Sequence, residues 1–96
     1  MMVLVSYDVC TEDNAGKTRL RRVAKICEKY GQRVQKSIFE CLVPPEMLVQ
    51  LKNALEKEMD KKKDSIRIYY LGNNWEKRVE HIGANEGYNP EGILIV

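Results

Sequence analysis

Two apolar stripes at helical spacing, set among strand-type segments, constrain this chain more than any other feature of its sequence. The first stripe is Leu20, Val23, Ala24, Cys27 and Tyr30, with Gly31 behind it as a natural stop, and it predicts a helix from about Lys17 to Tyr30. The second is Met47, Leu48, Leu51, Leu55 and Met59, and it starts after Pro44-Pro45, where Pro45 suits a first helical turn. Before the first helix, residues 2–9 are apolar and β-branched and read as a strand. Thr11 to Gly16 is a polar loop with several residues able to cap the helix that follows. Between the helices, residues 32–43 have strand composition broken at Gln35-Lys36-Ser37, which predicts two strands or one bulged strand. After the second helix, Lys61-Lys62-Lys63-Asp64 reads as a solvated, dipole-complementing end. Ser65 to Leu71 is then a strand closed by the turn residues Gly72-Asn73-Asn74.

The order β, α, β/β, α, β with short links predicts an α+β, ferredoxin-like split βαβ domain, with one antiparallel sheet and both helices on one face. The other face then needs a partner. A chain of 96 residues makes one domain, residues 1–96, and buries too little surface to be very stable alone, so a homodimer is expected. In the tail, Val79 to Ile82 reads as a short strand and Gly92 to Val96 ends on the apolar run Ile-Leu-Ile-Val. Residues 79–96 are therefore read as a C-terminal extension whose last strand pairs with the sheet edge of a second copy.

Several functional classes drop out early. The longest apolar run, Met1 to Val5, is too short for a bilayer and lacks the flanks of a secretory signal, so a cytoplasmic protein without a membrane partner is expected. Cys10, Cys27 and Cys41 form no CxxC pair and have one histidine in the chain to join them, which disfavours structural zinc and makes them small core hydrophobes. No GxGxxG, Walker loop, GxSxG elbow or HExxH is present. His81 has no acidic partner at a readable spacing, and it and Trp75 are read as structural, with Trp75 packing on the tail.

Charge is distributed unevenly. Residues 17–36 hold eight of the sixteen lysines and arginines against one acid, Glu28, in a chain of net charge +2. Such a segment can present a face to polyphosphate. Asp8 stands at the end of the first strand, on the face of Leu4 and Ser6 and away from Val5 and Tyr7. It reads either as a cap of the following loop or helix, or as a metal ligand. A lone carboxylate holds magnesium weakly, but two Asp8 side chains meeting at a two-fold axis, with water and phosphate oxygens, make a competent site for Mg²⁺ or another hard divalent cation.

The segments Val3-Leu4-Val5-Ser6-Tyr7-Asp8-Val9, Arg19-Leu20-Arg21-Arg22-Val23-Ala24-Lys25, Gly31-Gln32-Arg33-Val34-Gln35-Lys36-Ser37-Ile38-Phe39-Glu40-Cys41 and Arg67-Ile68-Tyr69-Tyr70-Leu71-Gly72 together resemble the CRISPR-associated Cas-two family, the small partner of the CRISPR integrase in spacer acquisition. The resemblance covers essentially the whole chain. It implies a ferredoxin-like homodimer with exchanged C-terminal strands, Asp8 as the catalytic, magnesium-binding residue, and Tyr7, Arg19, Arg22, Arg33 and Phe39 at the nucleic-acid-binding site. Read from composition alone, Tyr7 and Phe39 are equally core aromatics and the arginines an ordinary solvated face. The family is described both as magnesium-dependent endonucleases of RNA or double-stranded DNA and as non-catalytic DNA-binding adaptors for the integrase. A toxin-type ribonuclease of related fold and a generic ferredoxin-like RNA-binding or metabolite module are the competing readings.

Overall fold

The computed structural model describes residues 1–10 and 12–84. Four strands and two helices alternate in the expected order: β1 (Met2–Asp8), α1 (Asn14–Glu28), β2 (Gly31–Gln35), β3 (Ile38–Leu42), α2 (Pro45–Glu58) and β4 (Ser65–Gly72), followed by a single 3₁₀ turn, Trp75–Lys77. The sheet is antiparallel throughout, in the order β2-β3-β1-β4. This is the α+β, ferredoxin-like architecture that the sequence predicts.

Alternation along β1 places Val3, Val5 and Tyr7 in the core, while Ser6 is partly covered and Asp8 exposed. Phe39 and Cys41 of β3 join them from across the sheet, and Leu20, Val23, Ala24 and Cys27 of α1 with Leu51 and Leu55 of α2 complete the packed layer. All three cysteines are free; Cys27 and Cys41 are buried and Cys10 is half-buried. The Cys41 Sγ lies 3.6 Å from the Cys27 carbonyl oxygen, and contact with Cys41 together with burial pushes the Cys27 thiol well up, so it is an inert core group.

The first helix starts earlier than its apolar stripe suggests. Asp13 caps it, its carboxylate accepting from the Gly16 amide at 2.8 Å, so the polar residues Asn14 to Gly16 form the first turn instead of a loop. The helix ends at Glu28 and Tyr30 lies outside it. Gly31 serves a purpose other than stopping the helix. A β-carbon there would lie 1.8 Å from the Glu40 carbonyl oxygen, so the close approach of β2 to β3 requires glycine. Residues 32–43 resolve as two strands joined through Lys36-Ser37, with a register shift between Arg33 and Gln35.

One expectation for the tail changes: Val79 to Ile82 forms no strand. Trp75 is buried against Met2 with Leu42 and Leu71 beside it, closing the end of the sheet where β4 shifts register, and its expected packing on the last residues lies outside the described residues. The apolar run at Gly92 to Val96 lies outside the described residues. No described helix is long and apolar enough to cross a membrane.

Candidate nucleic-acid interface

The chemistry gathers where β1 ends, beside the β2–β3 turn. Asp8, the last residue of β1, is exposed, and its carboxylate makes no hydrogen bond or ion pair among the described residues. The helix-capping role open to it in the sequence is filled by Asp13 instead. Asp8 borders a notch of about 180 Å³ together with Tyr7, Val9, Leu20, Lys36 and Ser37. The notch takes its shape from the backbone: the Tyr7 amide donates to the Ser37 carbonyl oxygen at 2.9 Å, which ties the β2–β3 turn to the strand end.

Next to the notch, a larger groove of about 380 Å³ runs between α1 and β2. Lys17, Arg21 and Lys25 stand four residues apart on one face of α1, and Arg33 and Lys36 face them from β2 and its turn, with Glu28 as the lone acid. Leu20 and Lys36 line both cavities, so the groove and the notch adjoin at these two side chains. The Arg33 guanidinium lies 5.4 Å from the Phe39 ring centroid, and its Nε is buried without an acceptor. That stacking fixes the cation at the groove floor and leaves a donor unused.

Behind the notch is a feature that the sequence does not announce. Asp64, read there as the end of a solvated lysine run, has a fully buried side chain. Its carboxylate accepts from the Tyr7 hydroxyl at 2.6 Å, from Arg19 Nε and Nη2 at 2.7 and 3.2 Å, from the Asp60 amide at 3.0 Å and from the Cys10 amide at 3.3 Å. Burial alone raises a carboxyl pKa, but the donors from Arg19, Tyr7, Asp60 and Cys10 outweigh it and hold Asp64 well below the usual carboxylate range. Burial and the bond to Asp64 push the Tyr7 phenol up, so it remains a donor at every ordinary pH. Tyr7 and Cys10 bracket Asp8, so Asp64 anchors the chain on both sides of the exposed carboxylate.

The structure separates the six residues singled out in the sequence. Asp8 borders the notch and Arg33 the groove, and Tyr7 forms part of the notch wall with its hydroxyl turned to Asp64. Arg19 is committed to Asp64, and Phe39 is wholly buried beneath Arg33. Arg22 is exposed and lies 3.9 Å from Glu58 of α2, outside the groove lining. The cations that do line the groove beside Arg33, namely Lys17, Arg21, Lys25 and Lys36, are not among those six, although the four-residue spacing of the first three marks one helix face.

A ferredoxin-like domain with a cationic groove leading to an exposed strand-end carboxylate is the class of protein that this geometry defines. Residues 1–79 match the family model described as CRISPR associated protein Cas2. Relatives include the CRISPR-associated endoribonuclease Cas2 of Nitratidesulfovibrio vulgaris, 58% identical over 100% of this chain and 94% of that protein. The CRISPR-associated endonuclease Cas2 of Halalkalibacterium halodurans is 53% identical over 99% of each. The crystal structure of Streptococcus pyogenes Cas2 at pH 6.5 superposes with a TM-score of 0.80 at 59% identity, covering 86% of this chain and 100% of that one. The chain belongs to the Cas2 family of CRISPR-associated proteins.

Proposed function

We propose that this protein is a divalent-metal-dependent endonuclease of CRISPR adaptation that works as a homodimer in the cytoplasm and also serves as a nucleic-acid-binding partner of the CRISPR integrase. One observation carries the reading: an exposed carboxylate whose side chain has no partner among the described residues, Asp8, borders a notch that adjoins a cationic groove. The names of its relatives, endoribonuclease and endonuclease, support the same chemistry.

Asp8 offers hard oxygen ligands of the kind magnesium takes, but it is alone. No group of three or more His, Cys, Asp or Glu able to hold a metal occurs among the described residues. Magnesium is commonly held by one or two carboxylates with waters and substrate phosphates, so the site reaches its full donor set only when a second copy contributes its own Asp8 or the substrate is present. When bound there, magnesium would neutralise phosphate charge and make a bound water more acidic. The chain's own residues do the rest. Lys17, Arg21, Lys25 and Arg33 hold the sugar-phosphate backbone without reading sequence, and the Asp64 network keeps the strand end rigid.

The single carboxylate also favours a second reading, a dimeric scaffold that supports duplex DNA while the integrase performs the chemistry. Wild-type protein and Asp8→Asn, incubated with double-stranded DNA and single-stranded RNA in magnesium or EDTA, separate the two. Under the endonuclease reading, cutting requires magnesium and falls at least ~10³-fold in Asp8→Asn, as loss of a group acting at the reacting centre does. Equal cutting by the variant, or none by folded, DNA-binding wild type, leaves only the scaffold.

A further inference from the structure

Lys36 occupies the junction of the two cavities and is the residue the site has not yet used. It lies in the two-residue turn between β2 and β3, lines the groove with the α1 cations, and also lines the notch with Asp8. Lys36 and Asp8 carry opposite charges and border one notch of about 180 Å³, yet they form no ion pair; Lys36 makes no hydrogen bond or salt bridge among the described residues. Two opposite charges that line one notch without pairing are each available to a ligand that both attract. A phosphodiester with a cation on its far side has that character, its anionic oxygen toward the ammonium and its cation toward the carboxylate. The hydrogen bond from the Tyr7 amide to the Ser37 carbonyl oxygen ties the turn that carries Lys36 to the strand end that bears Asp8, so the flexible Lys36 stem starts beside it.

We propose that Lys36 is the handover point of the site: its ammonium binds the phosphate that leaves the α1/β2 groove and sets it beside Asp8. Lys17, Arg21 and Lys25 then supply affinity along the strand, whereas Lys36 determines which phosphate meets the carboxylate. The proposal rests on the nucleic-acid-cleaving reading of this site and adds a residue and a role to it. Lys36 acts on the substrate phosphate as a binding and positioning group and moves no proton.

The test has two readouts. Binding of a fluorescent single-stranded oligonucleotide is followed in EDTA across a salt series for wild type, Lys36→Ala, Lys36→Arg and, as a control outside both cavities, Lys62→Ala. Loss of one phosphate contact lowers the slope of log affinity against log salt by about 0.7–0.9, which corresponds to roughly five- to eightfold weaker binding near 0.1 M salt and little difference near 1 M. Lys36→Ala is expected to show that change, Lys36→Arg to restore most of it, and Lys62→Ala to match wild type. The second readout is cleavage in magnesium at saturating substrate. There Lys36→Ala lowers kcat, while Lys62→Ala leaves kcat and KM near those of wild type. A wild-type salt slope in Lys36→Ala, or a kcat unchanged by it, overturns the handover role while leaving the endonuclease reading intact. Absence of nucleic-acid binding by folded wild type overturns that reading and the handover role with it.

Discussion

Replacing Asp64 by alanine is expected to destabilise the fold by about 3 kcal/mol, the scale on which a buried ionic and hydrogen-bonded partner is missed. The substitution leaves the Tyr7 hydroxyl buried without an acceptor and strips Arg19 and the Asp60 and Cys10 amides of the oxygen they share. For a domain of this size the melting temperature falls by roughly 15 °C at fixed protein concentration. Asp64→Asn keeps the shape but turns an amide group toward donors, so it should also be unstable. The pH dependence gives an independent check. The folded-state pKa of Asp64 lies below its ordinary value of 3.8, so the unfolded chain takes up this proton first as pH falls. The stabilisation is therefore fully present above about pH 4 and drains away below it, toward the lower folded-state value. Wild type should lose stability over that acid range through this group, and Asp64→Asn should lack that component of the loss. Equal melting temperatures for wild type and Asp64→Ala at pH 7 would contradict the role given to this network.

The second large effect is electrostatic. Lys17→Ala, Arg21→Ala and Lys25→Ala combined remove three groove cations that make no ion pair among the described residues. Removing three phosphate contacts at once should weaken nucleic-acid binding about 10²-fold near 0.1 M salt and flatten the salt dependence by about two units or more. The fold should barely respond, because exposed side chains free of internal partners contribute little to stability. Arg22→Ala, by contrast, lies outside the groove lining. A triple variant that binds as wild type does, measured by anisotropy titration over a salt series, would move the interface elsewhere on the molecule.

The sequence exposes the scaffold well and the site only partly, for a physical reason. Strand and helix periods are local, so β1, both helices and β4 could be read from alternation and from the apolar stripes, and Asp8 could be placed on a strand face by counting residues. The start of α1 lies outside the apolar stripe because its first turn, Asn14-Ala15-Gly16, adds nothing to that stripe and is held by Asp13, a cap whose signal is weaker than an apolar period. Asp64 escaped altogether. It follows three lysines and resembles solvated surface, and its partners Tyr7 and Arg19 lie 57 and 45 residues away, a separation that no local pattern encodes. The same limit applies to the arginines. Arg19 and Arg21 are equally basic in the sequence, yet the turn of the helix sends one to a buried carboxylate and the other to an open groove.

The functional reading depends on that groove, which adjoins the Asp8 notch, holding nucleic acid. The most direct test is an NMR titration of the isotope-labelled protein with a short single-stranded oligonucleotide in EDTA, following backbone amide and lysine side-chain signals. The expected result is a contiguous set of perturbations at Lys17, Arg21, Lys25, Arg33, Lys36 and Asp8, with Lys61 to Lys63 silent. Perturbations centred on the sheet face of Leu4, Arg67 and Tyr69, with the α1 and β2–β3 signals unmoved, would contradict it.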